Sequence, residues 1–305
     1  MGHQFANASG TRLLTEVGSI FKSKPIFQNK SRHVIFVCGG QLNGPMPTMR
    51  SSFLNWAPGA LPDCLFILAE TAFKEALFHD PPVFINLSKF EQLVAQISDC
   101  VLIFPESAGS FAEIGYFSNV NTVRQKVLVA NDLSHQAAES FTNLGPIDTL
   151  NRKSFLQPAI YISTTGPAID FYPVKERLAR LRDRARRKRL DYKSYADFDY
   201  GEKFSLLLQV LIIFRALTLD GLRRSLIEAF GRIRSTDLHD LKILLSTLVA
   251  SGYAIRRDEY FLAAAGATPL LEIEDVNLGD LLARSTYYHK RYDEQAYKLV
   301  SGIYM

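Results

Sequence analysis

The sequence predicts an α/β protein in which a doubly wound parallel sheet precedes a smaller winged helix-turn-helix domain. Between residues 32 and 170, short apolar runs bounded by turn residues alternate with helical periodicity, as is typical of parallel sheets. After Gly201 the pattern changes to three helices and a hairpin. The 305 residues, 47% hydrophobic and 22% charged, have the composition of an ordinary globular protein, and the length favours two domains.

Residues 1–31 are polar and weakly patterned, so we expect an N-terminal arm with one short helix. The sheet domain follows at residues 32–170. Its predicted strands are apolar runs at residues 33–37, 64–68, 100–104, 126–130 and 159–163, and its predicted helices cover residues 70–78, 89–97 and a stretch from Ser110 onward. Right-handed crossovers would bring the first and third strand ends, at residues 38–41 and 104–107, to one edge of the sheet. Open α/β sheets bind ligands at that edge.

Residues 171–200 are predicted to form a basic helical bridge. Nine Lys or Arg residues lie between Lys175 and Arg189, and only Glu176 and Asp183 oppose them. So dense a cluster repels itself unless something neutralises it, which favours contact with a polyanion over a merely solvated helix face.

Residues 201–266 read as a winged helix-turn-helix, followed by a helical tail at residues 267–305. The predicted helices cover residues 204–216, 219–230 and 236–251, and the wing is a hairpin of residues 253–255 and 260–262. The third helix carries few basic residues, which indicates contact with the nucleic-acid backbone and leaves open a purely protein-binding role. The candidate nucleic-acid contacts are Arg182, Arg184, Arg186, Arg187, Lys188, Arg189, Arg223, Arg224, Arg232, Arg234, Lys242, Arg256 and Arg257.

The strongest chemical signal is the stretch DCVLIFPESAGSFAEIGYF, residues 99–117. Glu106 comes after Pro105, which ends the predicted third strand, and Glu113 lies one helical turn into the next helix. Glu106 could simply cap that helix, because carboxylates accept N–H bonds in the first turn. Glu113 lies where no cap is needed. Enzymes that break a glycosidic bond usually use two carboxylates near one cleft, so both acids are candidate catalytic residues.

The segment AEIGY, residues 112–116, resembles the nucleophile motif of nucleoside 2-deoxyribosyltransferases. The resemblance covers residues 30–165 and implies a deoxyribosyltransferase-like fold. It implies that Glu113 is the nucleophile and that Glu106 assists the leaving group or a water, although the two roles could be exchanged. The implied substrate contacts are Gly39, Gly40, Gln41, Glu91, Ser107, Gly109, Ser110, Phe111 and Tyr116, with helix-start N–H groups for a phosphate.

The order of a deoxyribosyltransferase-like domain, a basic bridge and a winged helix resembles the effectors of bacterial retron anti-phage systems. That resemblance implies a toxin controlled by a reverse transcriptase and its branched RNA–DNA (msDNA), within a higher-order assembly, and released on infection. It also implies hydrolysis of an N-glycosidic bond of a nucleotide. The favoured target is NAD, as substrate and not as cofactor, because its nicotinamide is cationic and leaves without protonation.

The remaining features exclude other classes. Cys38, Cys64 and Cys100 follow no metal or disulfide spacing, so we expect core thiols, no metal site and a reduced cytoplasm. The polar N-terminus and the lack of a long apolar run predict neither a signal peptide nor a membrane span. Two alternatives stay open: a nucleotide-sensing, DNA-binding transcriptional regulator without catalysis, and a structural subunit whose acids only cap a helix.

Overall fold

A computed structural model describes residues 4–28, 32–77, 86–184 and 188–303. The chain divides into two compact units. The α/β unit comprises Lys30–Thr71 and Ile85–Arg186, and the helical unit comprises Met1–Asn29, Ala72–Phe84 and Arg187–Met305. This division groups the N-terminal residues with the C-terminal ones, unlike the boundaries predicted from the sequence.

The elements are as follows, in chain order. The strands are β1 Ile26–Gln28, β2 His33–Cys38, β3 Cys64–Ile67, β4 Cys100–Ile103, β5 Val127–Asp132, β6 Ile160–Ile162, β7 Lys188–Arg189, β8 Ala216–Thr218, β9 Ala254–Arg257, β10 Tyr260–Ala263 and β11 Leu271–Ile273. The α-helices are α1 Ala8–Ser23, α2 Met49–Ala60, α3 Ala69–Leu77, α4 Leu87–Ile97, α5 Ala108–Asn119, α6 Asn121–Arg124, α7 Asp148–Lys153, α8 Tyr172–Arg184, α9 Tyr200–Phe214, α10 Leu219–Phe230, α11 Ser235–Ala250, α12 Leu278–Tyr292 and α13 Glu294–Ile303. Short 3₁₀ turns at Leu133–His135 and Tyr195–Asp197 and a π-turn at Asn143–Ile147 complete the description.

The α/β unit contains the predicted parallel sheet, in the strand order β3-β2-β4-β5-β6. All five predicted strands are confirmed to within two residues. The strand order changes direction between β2 and β4, where Cys38 lies opposite Ile103. Doubly wound sheets bind ligands at such a switch point, outside the carboxyl ends of the strands.

The helix α2 was not predicted, because its apolar residues are interrupted by polar ones and by Pro58. It begins with a capping box, in which the Thr48 hydroxyl accepts from Ser51 N while the Ser51 hydroxyl accepts from Thr48 N. Its buried Phe53 packs against Phe104 and Phe171 in the core of the α/β unit.

The basic bridge is the largest correction to the predicted architecture. Its helix α8 buries Val174, Leu178 and Leu181 in the core of the α/β unit, so it is part of that unit. Arg177 and Arg180 donate to backbone carbonyls of residues 155–158, so part of the basic charge serves the fold. The predicted helix over residues 188–189 is wrong, because these residues form β7 and pair with β1.

The predicted N-terminal arm contains a 16-residue helix, α1, longer than expected. Asn7 caps it by accepting from Gly10 N, and its buried face includes Leu14, Val17 and Phe21. This face packs against α10, because an amphipathic helix must bury its apolar stripe against another element. The strand β1 then joins β7 and β11 in an antiparallel sheet of three strands.

The helical unit contains the three predicted helices as α9, α10 and α11, followed by the predicted hairpin as β9 and β10. The short strand β8 adds to the hairpin, giving an antiparallel sheet in the order β8-β10-β9. The helix α9 is apolar nearly all round and is buried on most sides. In the described part of the chain, no helix has the length and apolar character needed to cross a membrane.

Candidate active site

The carboxyl edge of the parallel sheet brings together five charged side chains and one thiol. Cys38 ends β2, and Glu106 lies three residues beyond β4. Helices supply Arg50 from α2, Glu70 from α3, Glu91 from α4 and Glu113 from α5. The predicted meeting of the first and third strand ends is confirmed, because Gly40 N donates to Glu106 Oε1 at 2.9 Å.

The Glu106 carboxylate is held by three backbone N–H groups. Its Oε1 accepts from Gly40 N at 2.9 Å and from Arg50 N at 3.0 Å, and its Oε2 accepts from Met49 N at 2.7 Å. Met49 and Arg50 are the first two residues of α2, whose N-terminal N–H groups have no partner inside the helix. Glu106 therefore caps α2, the helix across the cleft, and not the helix that follows it in sequence.

The two glycines after β2 leave room for this arrangement. A Cβ on Gly39 would lie 2.8 Å from Arg50 Cβ and 3.0 Å from Glu106 Oε1. A Cβ on Gly40 would lie 2.8 Å from Thr48 Cγ2. A side chain at either position would therefore displace Arg50, Thr48 or Glu106, and the glycines serve the packing of the site.

Arg50 is a buried cation that faces the acids. Its Nη2 contacts Glu70 Oε1 at 2.8 Å and Oε2 at 2.9 Å, and its Nη1 donates to Gly40 O at 3.3 Å. Its Nε is buried and has no hydrogen-bond partner among the described residues. The guanidinium thus has one full ion pair and spare donor capacity toward the acids.

Glu113 has one carboxyl oxygen, the buried Oε2, without a hydrogen-bond partner in the described ranges. Burial raises the pKa of Glu113, whereas the nearby Cys38 thiol and the Arg50 charge lower it and the Glu70 charge adds to the rise. A buried carboxyl oxygen without a donor is expensive for folding, which is a feature of reactive sites.

Glu91 is the second perturbed acid. Burial raises its pKa to about 7, the negative charges of Glu113 and Glu70 act in the same direction, and Arg50 opposes them. A carboxyl group with this pKa is partly protonated at neutral pH, so it can donate or accept a proton. Glu91 lies on α4, and its predicted contact with the substrate stays a prediction.

The start of α5 is closed by a capping box. The Ser107 hydroxyl accepts from Ser110 N, and the Ser110 hydroxyl accepts from Ser107 N and Glu106 N. Ser110 is buried by these bonds, so it braces the loop and does not face the cleft as predicted. Gly109 and Phe111 are exposed on the first turn of α5.

Two further predicted contacts lie at the rim. Gln41 is exposed, and its carbonyl accepts from Thr48 Oγ1 at 3.4 Å. Tyr116 is also exposed, and its hydroxyl donates to Gln92 Oε1 at 2.8 Å. Tyr116 is thus linked to α4, the helix that carries Glu91.

Comparison with known proteins identifies the family. The family described as STM3845 retron effector protein has a sequence model that matches residues 47–256, more than half of the chain. The chain belongs to the STM3845 retron effector family. The matched residues include all four acids and Arg50 and begin after Cys38.

Two Escherichia coli proteins are similar to this STM3845-family chain. One, named "Retron Ec73 putative ribosyltransferase/DNA-binding protein", is 30% identical over 134 residues, which are 44% of this chain and 42% of that one. The other, named "Retron Ec86 putative ribosyltransferase/DNA-binding protein", is 39% identical over 75 residues, or 24% of each chain. The chain thus spans less than half of the length of either relative.

Many candidate nucleic-acid contacts of this STM3845-family chain lie in ion pairs. Arg182 pairs with Asp63, Lys188 with Glu202, Arg223 and Arg224 with Asp220, Arg234 with Asp237, and Arg256 with Glu75. Within the described ranges, no acidic side chain pairs with Arg189, Arg232 or Arg257. Lys242 lies on α11, and Arg184 on α8. Arg186 and Arg187 lie outside the described residues.

Sequence reasoning missed Arg50, Glu70 and the site role of Cys38. Glu70 had a signal, because it closely follows the predicted strand at residues 64–68, just as Glu106 follows the strand at 100–104. Arg50 had none, because its helix was not predicted. The described residues contain no group of three or more His, Cys, Asp or Glu side chains that could hold a metal ion.

Proposed function

We propose that the α/β unit cleaves an N-glycosidic bond of a nucleotide, with Glu113 as the reacting carboxylate. One observation carries the proposal: a buried carboxyl oxygen of Glu113 has no hydrogen-bond partner among the described residues. The neighbouring acid Glu91 has a pKa that burial raises to about 7. Carboxyl groups whose environments separate their pKa values supply a nucleophile and a proton-transfer group. The names of both E. coli relatives include ribosyltransferase, which is the same bond chemistry.

In the proposed reaction, a Glu113 oxygen bonds to the anomeric carbon while the base leaves with the electrons of the broken C–N bond. Water then attacks the ribosyl ester, passes a proton to Glu91 and releases Glu113 as a carboxylate. The role at the leaving group or water, which sequence reasoning assigned to Glu106, thereby moves to Glu91. Glu106 instead holds the turn that carries Arg50, because backbone donors surround its carboxylate.

The favoured substrate is NAD, with release of nicotinamide. Nicotinamide is cationic in NAD, so it leaves without a proton and one carboxylate suffices for its departure. A neutral base leaves more readily once protonated, which Glu91 could provide below about pH 7. Loss of base release above that pH is therefore expected for neutral nucleosides and not for NAD.

The test is to incubate the purified protein, alone and with its reverse transcriptase and branched RNA–DNA, with NAD and a panel of nucleosides and nucleotides. Chromatography measures the free base. Base release that disappears in Glu113→Gln and persists in Glu139→Gln supports the proposal, because Glu139 is an exposed acid of the same unit. Unchanged release in Glu113→Gln contradicts it. Saturable nucleotide binding without release favours the nucleotide-sensing regulator.

We also propose that the helical unit contains a winged helix that contacts the branched RNA–DNA, and that this complex and the reverse transcriptase restrain the toxin until phage infection. The order α9, β8, α10, α11, β9, β10 supports a winged helix with the hairpin as its wing. The names of the relatives include DNA-binding, and the family is one of retron effectors.

A basic cleft of about 560 Å³ in the helical unit supports the nucleic-acid contact. Its lining includes four cations, Lys22, Lys24, Arg189 and Lys193, against two acids, Asp191 and Asp197. Asp197 already accepts hydrogen bonds from the backbone N–H groups of residues 193 and 194. The excess positive charge in a concave site suits a phosphate of the nucleic-acid backbone.

Binding of the branched RNA–DNA at several salt concentrations tests this contact. The double variant Lys22→Glu/Arg189→Glu should weaken binding and reduce the salt dependence by about one phosphate contact per charge. Lys298→Glu is the matched control, because Lys298 pairs with Glu294 on an exposed helix face. Equal binding by the double variant and the control would rule out this cleft.

A further inference from the structure

Glu70 is an acid of the site that the proposed reaction does not use. It lies in the first turn of α3, three residues beyond the end of β3. The strand β3 pairs with β2 on one side, and β4 pairs with β2 on the other. Glu70 and Glu106 therefore follow the two strands that flank β2, at the edge where open α/β sheets bind ligands.

Arg50 fixes the carboxylate of Glu70. Its Nη2 lies 2.8 Å from Glu70 Oε1 and 2.9 Å from Oε2, while its own backbone N donates to Glu106 Oε1 at 3.0 Å. The Arg50 side chain is 7% exposed, and its buried Nε has no hydrogen-bond partner among the described residues. Native proteins leave few buried donors without a partner, so this one favours a guanidinium placed for the site over one placed for the core.

The two members of this ion pair differ in exposure. The guanidinium is buried, whereas the Glu70 side chain is 45% exposed. A carboxylate has about four acceptor positions, and Arg50 Nη2 occupies one on each oxygen. No other residue in the described ranges donates a hydrogen bond to Glu70. Each of its oxygens therefore keeps an acceptor position, on a side chain that a ligand can reach.

The 2′- and 3′-hydroxyls of a ribose lie side by side on one face of the ring, so one carboxylate with two open acceptor positions can bind both. A hydrogen bond from the 2′-hydroxyl strengthens as positive charge develops on the sugar during glycosidic cleavage. We propose that Glu70 binds the 2′- and 3′-hydroxyls of the ribose whose N-glycosidic bond is broken, and that Arg50 is the positioning residue that orients it. Glu70 accepts hydrogen bonds and transfers no proton. This inference rests on the proposed N-glycosidase function.

The electrostatics of the site support this role. The Glu70 charge raises the pKa of both Glu113 and Glu91, as expected of acids that lie close together. A diol held by Glu70 would place the adjacent anomeric carbon beside them. The substrate class is then nucleotides with a complete ribose, a class that includes NAD, and 2′-deoxynucleotides are poorer substrates.

The experiment compares base release from NAD and from its analogue with a 2′-deoxyribose at the nicotinamide, in wild type, Glu70→Gln and Asp148→Asn. Asp148→Asn is the matched control, because Asp148 is 44% exposed in an ion pair with Arg152 at 3.0 Å, in the same unit but on α7, which carries no site residue. We expect Glu70→Gln to lower kcat/KM about thirtyfold for NAD and about threefold for the analogue, because only NAD offers the 2′-hydroxyl. Asp148→Asn should leave both unchanged. Taking the ratio of each variant to wild type removes the greater intrinsic reactivity of deoxyribosyl bonds.

The outcomes separate this inference from the proposed function. An equal loss for the two substrates in Glu70→Gln would mean that Glu70 only neutralises Arg50, so the inference would be wrong while the N-glycosidase stands. Should Glu70→Gln not fold, Glu70→Asp decides, because it keeps the charge beside Arg50 and withdraws the carboxylate by one methylene. A reduced preference for NAD in Glu70→Asp supports the diol contact, and an unchanged preference contradicts it. If Glu113→Gln keeps base release, or wild type shows none, the proposed function itself fails, and calorimetric binding of the same two dinucleotides still tests Glu70.

Discussion

Two clusters of buried charge, one in each unit, are built in opposite ways. In the helical unit, Asp237 is 3% exposed and accepts from the Arg234 guanidinium at 2.9 and 3.2 Å. The Lys203 ammonium lies 3.5 Å from Asp237 and faces the rings of Tyr195 and Tyr200 at 5.0 and 5.5 Å. Every charge there has a partner.

At the carboxyl edge of the α/β unit, the single Arg50 guanidinium faces three acids, Glu70, Glu91 and Glu113. Its ion pair is with Glu70. Glu113 keeps an oxygen to which no described residue donates a hydrogen bond, and Glu91 is protonated more readily than an exposed glutamate. The paired cluster lowers the pKa of its acid, whereas the unpaired cluster raises the pKa of two. Excess like charge lowers stability. The acid cluster of the α/β unit therefore indicates a functional site, whereas the paired cluster of the helical unit stabilises the fold.

The largest effect is expected for Glu113→Gln, which should lower the activity without lowering the stability. Glu113→Gln should lower base release by about a thousandfold or more, because the nucleophile is lost. Its free energy of unfolding should not fall, since a poorly partnered buried charge is removed. Base release and urea unfolding measure the two. A loss of both together would mean that Glu113 is structural, like Asp237.

The next largest effect is expected at Lys203, and it concerns stability. Lys203→Met should lower the free energy of unfolding by about 2–3 kcal/mol, because it breaks a buried pair that Arg234 only partly replaces. Lys298→Met, in the exposed pair with Glu294, is the control and should leave stability unchanged. Urea unfolding measures both variants, and equal stability of the two would show that the Lys203 pair contributes nothing.

Glu106→Gln should lower both the stability and the base release, each by less than the two effects above. Glu106→Gln replaces one acceptor oxygen by an NH₂ group, so at least one backbone N–H near the start of α2 loses its partner. We expect a loss of about 1–2 kcal/mol in the free energy of unfolding. Base release should fall about tenfold, because Arg50 shifts while Glu113 remains. A loss of base release as deep as that of Glu113→Gln would return a direct chemical role to Glu106.

The smallest effect is a pH dependence of stability. Glu91 titrates near 4.5 when unfolded and at about 7 when folded, so its burial destabilises the protein increasingly as pH rises through this window. After allowance for solvent screening, we expect a decrease of about 1–2 kcal/mol across that window. Asp237 acts in a separate window, since its lowered pKa means that its stabilisation is lost only as pH falls below about 3.8.

Urea unfolding at both ends of the Glu91 window measures this decrease. Glu91→Gln should flatten it, because the variant carries no titrating group there. An unchanged slope in Glu91→Gln would assign the pH dependence to other groups. Glu139→Gln, at an exposed position, should keep the wild-type slope.

The local pattern of the sequence determined the sheet and most helices. The five parallel strands are continuous apolar runs between turn residues, because a strand buried on both faces needs no polar side. The helix α10 has the predicted bounds, with Asp220 in its first turn and Gly231 after its end. The meeting of Gly40 and Glu106 followed from strand order and crossover handedness alone.

Only the tertiary structure decided what each charge does. The sequence makes both Glu106 and Glu113 candidate catalytic residues. In the structure, backbone N–H groups of α2 bind Glu106, whereas no described residue donates to the buried Oε2 of Glu113. The basic run of α8 predicts contact with a polyanion, but Arg177 and Arg182 bond within the α/β unit. Periodicity reports which face of an element is buried, whereas the partner and pKa of a charged group depend on neighbours remote in the chain.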